Sequence, residues 1–156
     1  KYLTATHPYS SKFYTWLFMI RPIFYWVNGD ARIYLLGNPI IWWLSTLAVF
    51  LLIVYIFIKK FKDSAANILM IGYLFNFLPF MGVTTRTTFL YHYLSSLIFS
   101  IAILVYLIDK SKYSKIIFTV LFVLAIAAFL YFAPLTYGLN MSSQQYENSV
   151  WLDSWR

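Results

Sequence analysis

The chain alternates long apolar runs with short polar breaks, the pattern of a polypeptide that crosses a bilayer about four times as α-helices. The first clear run extends from Pro39 to Ile58, with proline suited to the opening turn of a helix and Lys59, Lys60 and Lys62 closing the far end. A second, shorter run starts near Ala65 and ends at Pro79–Phe80. The third spans Phe89 to Ile108, followed by Asp109, Lys110, Lys112 and Lys115. The fourth runs from Ile116 to Ala133, where Pro134 is expected to stop it. The predicted fold class is all-α integral membrane, divided into an outer-face interfacial segment (1–37), a four-helix region (38–134) and an outer-face tail (135–156).

The segment Phe13–Trp26 is apolar and aromatic but broken by Arg21 and Pro22. At about 14 residues it is too short to span. It reads as an interfacial segment lying in the headgroup plane. The competing reading, an extra span, would place Arg21 near mid-membrane at a cost of about 2.5 kcal/mol or more. The pair Tyr137–Gly138 reads as a turn, and Asn140–Met141–Ser142 matches a glycosylation acceptor triplet, a weak signal.

Composition agrees with the pattern. Apolar residues make up 62% of the chain and charged residues only 11%, far below a soluble domain. The net charge of +7 does not indicate nucleic acid, because the basic residues are split between short loops. Cysteine is absent, which removes disulfides and thiolate metal sites. The lysines concentrate in two loops, 59–62 and 110–115, so the positive-inside rule places those loops in the cytoplasm and both termini outside. All four arginines, Arg21, Arg32, Arg86 and Arg156, then fall on the outer side. Arginine reads phosphate with a planar fork, whereas lysine is a solvated point charge. Anion chemistry is therefore expected outside. A first span running inward is normally threaded by something upstream, so the chain is expected to be part of a longer protein.

No catalytic centre is legible. The carboxylates Asp30, Asp63, Asp109, Glu147 and Asp153 lie outside the spans and are not paired, and His7 and His92 lack metal-ligand spacing. No cofactor, metal or catalytic residue is assigned. The absence of a mid-span charge makes a proton-coupled transporter the weakest alternative. One constellation stands out: Arg86, Tyr91, His92 and Tyr93, at the outer mouth of the third span. Arg, His and Tyr hydroxyls together can hold a lipid phosphate. The plainer alternative is that Arg86 snorkels to headgroups while His92 satisfies a buried partner.

Several patches carry a family likeness: His7–Pro8–Tyr9–Ser10–Ser11, then Trp16, then Arg21–Pro22, Gly37–Asn38–Pro39–Ile40–Ile41–Trp42–Trp43, Gly72–Tyr73–Leu74 with Leu78–Pro79–Phe80, and above all Arg86–Thr87–Thr88–Phe89–Leu90–Tyr91–His92–Tyr93–Leu94. Pro134–Leu135–Thr136–Tyr137–Gly138 and Trp151–Leu152–Asp153–Ser154–Trp155 close the series. In order and over nearly the whole chain, these resemble the C-terminal membrane region of the protein O-mannosyltransferases. Ser95 and Leu17 stand where that family commonly has proline. The resemblance implies the C-terminal part of a GT-C type glycosyltransferase that moves mannose from polyprenyl- or dolichyl-phosphate-mannose to Ser or Thr of acceptor proteins. It further implies that Arg86 pairs with the lipid phosphate, that Tyr91, His92 and Tyr93 position it or pack the lipid path, and that aromatic grooves cradle the isoprenoid. The family's catalytic acidic pair belongs to an N-terminal half, a possible partner of this chain. The alternative is a non-catalytic membrane module that binds lipid or scaffolds a partner. The Lys- and Ile-rich composition favours a bacterial plasma membrane over the endoplasmic reticulum.

Overall fold

The computed structural model describes residues 7–82 and 86–156. Four helices are long and apolar enough to cross a membrane. The first, α2 (Pro39–Ile58), begins as its sequence chemistry dictates. Pro39 fills a position that needs no backbone donor, and Asn38 Oδ1 accepts from the N–H groups of Ile40 and Ile41 at 3.1 and 3.3 Å. The next, α3 (Ser64–Phe77), is capped by Asp63 and tightens into a 3₁₀ turn over Leu78–Gly82. A second 3₁₀ turn, Leu90–Tyr93, leads directly into α4 (Leu94–Asp109). The last long helix is α5 (Ser114–Tyr137).

Helix α4 packs against both α2 and α3. Small side chains allow the close approach: Ser45, Ala48, Ser96 and Ser100 are all buried. Ser100 Oγ donates to Ser45 Oγ at 3.1 Å across the α2–α4 contact. Between α3 and α4, the Phe99 ring lies over Gly72, where any Cβ would meet it at 2.2 Å. By contrast α5 buries only Ala128, Phe132 and Leu135. Its remaining apolar surface suits lipid, which is as apolar as the side chains it touches.

Pro134 does not end α5. The helix continues to Tyr137 and stops at Gly138, whose φ of 68° is the left-handed conformation of a helix terminus. The carboxy-terminal turn is held from outside, with Leu135 buried and Gly138 against Ile33. Tertiary contact thus carries the helix past a residue that disfavours it.

The two lysine loops meet at one carboxylate. Asp63 Oδ1 accepts from Ala66 N–H at 3.2 Å, while Oδ2 accepts from the hydroxyls of Tyr55 on α2 and Tyr106 on α4. Lys110 Nζ approaches the same oxygen at 3.8 Å. One side chain therefore ties the ends of three spans and places both loops at the same end of the bundle.

The segment before the bundle forms neither an extra span nor one continuous helix. It comprises a four-residue helix, α1 (Phe13–Trp16), and a β-hairpin of β1 (Ile23–Asn28) with β2 (Ala31–Leu35). The hairpin adds a small antiparallel element to an otherwise helical fold. Gly29 and Asp30 form its turn, with Gly29 at φ 57°. Between α1 and β1 the chain is irregular and partly buried, and each carbonyl from Trp16 to Ile20 accepts a side-chain hydrogen bond. Trp42 Nε1 donates to Trp16 O at 2.8 Å, Thr46 Oγ1 to Leu17 O at 2.7 Å and Trp43 Nε1 to Phe18 O at 2.9 Å. From the other end of the chain, Trp155 Nε1 donates to Met19 O at 2.8 Å and Ser154 Oγ to Ile20 O. Three indoles and two hydroxyls thus satisfy five successive carbonyls.

The tail is folded onto this assembly. Its helix α6 (Ser143–Ser149) starts at a reciprocal Ser142–Gln145 cap. Tyr146 Oη lies 2.9 Å from Tyr34 Oη, and the Arg32 guanidinium sits 4.2 Å from the centre of the Tyr146 ring. Asn140, of the triplet noted above, is exposed and bridges to Ala31.

Two outcomes follow. Thr46→Val keeps the side-chain shape and leaves Leu17 O unpaired, so it should cost about 1–3 kcal/mol in detergent unfolding; an unchanged midpoint would show that the hydroxyl is dispensable. The tyrosine hydroxyls, Tyr106 first, together with the Ala66 N–H hold the Asp63 carboxyl down at about 2, from an ordinary 3.8. A depressed native pKa means stability present above about pH 4 and lost as pH falls towards 2. The unfolding temperature should therefore drop over that window, and the drop should be smaller in Asp63→Asn.

Candidate functional site

The segment that leads into α4 is built as an extended piece followed by a tight turn. Ser11 N–H donates to Thr88 O at 2.8 Å and Thr88 Oγ1 donates to Ser11 O at 2.7 Å, which fixes the segment against the start of the chain. Phe89 is extended, with φ −140° and ψ 163°. The Leu90–Tyr93 turn then reverses the side chains within a few residues, so neighbours point to different surroundings.

His92 is half-buried in an aromatic stack. Its ring centre lies 4.4 Å from Tyr91 and 5.8 Å from Trp16, whose ring is nearly parallel at 11°. Phe80 meets it edge-on at 5.4 Å. Trp16 is itself locked, donating from Nε1 to Ser11 Oγ at 2.9 Å. His92 Nδ1 lies 3.1 Å from Phe89 N–H, which has no other acceptor among the described residues. Phe89 O already receives His92 N–H at 3.1 Å. His92 Nδ1 also lies 3.0 Å from Phe89 O, so it accepts from Phe89 N–H in one tautomer and donates to Phe89 O in the other. Nε2 is the second polar atom of the ring, a donor in the first tautomer and an acceptor in the second.

Arg86 is exposed six residues before His92, and among the described residues no carboxylate pairs with it. Residues 83–85 of its turn lie outside the described residues. Tyr91 is also exposed. Tyr93 is placed differently: it is fully buried, against Trp42 at 5.4 Å and Phe77 at 5.9 Å, with its hydroxyl 3.3 Å from that of Tyr73. So Arg86, Tyr91 and His92 share the segment that precedes α4, while Tyr93 anchors that segment into the bundle. Sequence reasoning did not single out Trp16, Phe80 or Ser11. Trp16 stood within the family-like patches, but nothing local announced a contact with a residue 76 positions away.

Beside this segment lies an apolar crevice of about 320 Å³. Leu90 of the 3₁₀ turn and Leu94, Leu97 and Ile101 down one face of α4 form one wall, and Ile41 and Trp42 of α2 form the other. The crevice begins at the turn that carries Tyr91 and His92.

Comparison with known proteins agrees with this architecture. A family profile described as the C-terminal four-transmembrane region of protein O-mannosyltransferase matches residues 1–155. The chain is 30% identical, over 99% of its length, to dolichyl-phosphate-mannose–protein mannosyltransferase 1 of Saccharomyces cerevisiae, of which it covers 22%. It is 28% identical, over 97% of its length, to the polyprenol-phosphate-mannose–protein mannosyltransferase of Corynebacterium glutamicum, of which it covers 33%. Among solved structures, the S. cerevisiae protein O-mannosyltransferase Pmt1–Pmt2 complex bound to the sugar donor superposes with a TM-score of 0.83 at 27% identity, covering 99% of this chain and 24% of the matched one. The chain thus spans between about a fifth and a third of the length of these relatives. It belongs to the protein O-mannosyltransferase family, as the family's C-terminal four-transmembrane region.

Proposed function

We propose that this region forms the donor-lipid wall of a membrane mannosyltransferase. The donor is polyprenyl- or dolichyl-phosphate-mannose, and the acceptor is a Ser or Thr hydroxyl of a protein. The observation that carries the reading is the adjacency of a polar head and an apolar slot. The crevice opens at Leu90, two residues before His92 and four after the exposed Arg86, and descends along Leu94, Leu97 and Ile101. An isoprenoid phosphate has the same division, a charged head on an apolar chain. Arg86 would pair with the phosphate through charge-assisted hydrogen bonds. His92 would donate one further bond from a ring held rigid by Trp16 and Tyr91. Tyr93 serves as the anchor that sets the turn. The relatives named above use such donors by their names, which supports the assignment.

Group transfer needs a base and a route for the leaving phosphate. In this reading the carboxylates that activate the acceptor are supplied by the N-terminal part of the enzyme, and this region holds the donor in place. We further assign the lysine loops to the cytoplasm and the Arg86 turn to the outer face of a bacterial plasma membrane. Both loops lie at the Asp63 end of the bundle, which fits a single positive side.

In the full-length enzyme, Arg86→Ala should raise the donor KM roughly tenfold or more, and His92→Ala should raise it by less. Unchanged donor KM and kcat in both, with normal unfolding, would remove the site. A cysteine introduced at Lys112 should resist an impermeant reagent applied to intact cells; ready labelling would invert the topology.

A further inference from the structure

The hairpin has two edges, and among the described residues the chain pairs with only one of them. On the β2 side, Asn140 bridges to Ala31 and Met141 N–H donates to Asp30 O at 3.4 Å. That pairing shows which groups face outward on β2: those flanking Ala31. Ala31 itself pairs with Asn28 across the two-residue turn. Hydrogen-bonded and non-hydrogen-bonded pairs alternate along an antiparallel ladder, so Val27↔Arg32 is the non-hydrogen-bonded pair. The N–H and C=O of Val27 therefore point away from β2, along the open edge of β1. Among the described residues no backbone group bonds to them. The surroundings are exposed and apolar: Tyr25 is 58%, Trp26 45% and Val27 48% accessible.

We propose that this edge docks an extended segment of the acceptor polypeptide by strand addition, an inference that rests on the function proposed above. A strand edge offers directional amide donors and acceptors, which only another backbone matches in register. The β2 edge demonstrates the mode, since the chain's own 139–141 segment already pairs there. The β-bulge between Phe24 and Trp26 limits the regular edge to a few residues, so the docked strand is short. Its root points to the donor segment. Phe24 packs on Tyr9 at 6.0 Å, Tyr9 lies 6.0 Å from His7, and His7 meets Phe89 edge-on at 5.1 Å. A peptide held along β1 would thus run beside the segment that carries Arg86 and His92. Side chains alternate across such a strand, so Tyr25 and Trp26 would contact every second residue.

The test uses the full-length enzyme and Ser-containing peptides in which a single N-methyl amide is moved one position at a time. Strand addition should give losses of roughly tenfold in kcat/KM at every second position, the scale of one or two hydrogen bonds. Val27→Pro removes the outward N–H without breaking the hairpin ladder, a substitution that edge strands accept. It should raise the acceptor KM, leave the donor KM unchanged and flatten the N-methyl pattern. A pattern without a period of two, or an unchanged acceptor KM in Val27→Pro, would overturn the proposal. Reduced binding of Val27→Pro to lipid vesicles with unchanged acceptor KM would assign the edge to the membrane surface and likewise overturn it. Should Val27→Pro fail to fold, the N-methyl scan decides alone. Failure of Arg86→Ala to alter donor use would remove the donor site while leaving the acceptor readout intact, so the two assignments fail separately.

Discussion

Five successive carbonyls, from Trp16 to Ile20, organise the end of this molecule that lies away from Asp63. They belong to an irregular stretch in which Trp16 and Met19 are fully buried. Buried backbone acceptors must find donors, and at a membrane surface water supplies only part of them. Here the donors come from both directions along the chain. Trp42, Trp43 and Thr46 reach up from α2, and Ser154 and Trp155 reach in from the tail. Four of the five donors, the three tryptophans and Thr46, are carried on large or β-branched side chains, so the contact that satisfies the carbonyl also fills space. The cluster welds the start of the chain, the first span and the C-terminus into one unit.

The functional geometry depends on that weld. Trp16 sits at its edge and stacks on His92, while the Ser11–Thr88 pair holds the segment that precedes α4 alongside. Without an ordered irregular stretch, His92 would lack one face of its stack and the 3₁₀ turn would lack its support. Tyr93 works from below, buried against Trp42, which is itself one of the carbonyl donors. The aromatic content of the chain thus acts as framework as well as interface anchor. The mobile partner in the proposed chemistry is the lipid, and rigid protein donors reduce the ordering cost of holding its phosphate.

The opposite end is fixed by a single carboxylate. Asp63 caps α3 and accepts from tyrosines on α2 and α4, so three helix ends converge where the lysines gather. Between the two ends the spans are joined by small residues and a serine pair, while α5 remains mostly open to lipid. Contacts at both ends and close packing in the middle position α2, α3 and α4. α5 is held chiefly by the hairpin and by Asn38 Nδ2, which donates to Ala125 O at 2.8 Å. The crevice between α2 and α4 lies beneath this arrangement and shares Asn38 with it.

The four spans were legible in the sequence because lipid imposes a local demand: each crossing needs a long apolar run that satisfies its own backbone. The start of α2 at Pro39 and the turn at Gly138 were legible for the same reason, since caps and left-handed turns are set by neighbouring residues. The hairpin left a trace in Asn28–Gly29–Asp30 between aromatic runs, but the interruption at Arg21–Pro22 drew the reading towards a flat-lying segment. Past Pro134 the local rule failed, because packing on β2 continues the helix. Arg86, Tyr91 and His92 are candidates that residue type and position alone suggest. That Tyr93 turns inward, that Trp16 backs His92, and that one hairpin edge is unpaired among the described residues were decided only in three dimensions. Those facts depend on which distant groups satisfy a given ring or carbonyl, and sequence spacing carries no record of such pairings.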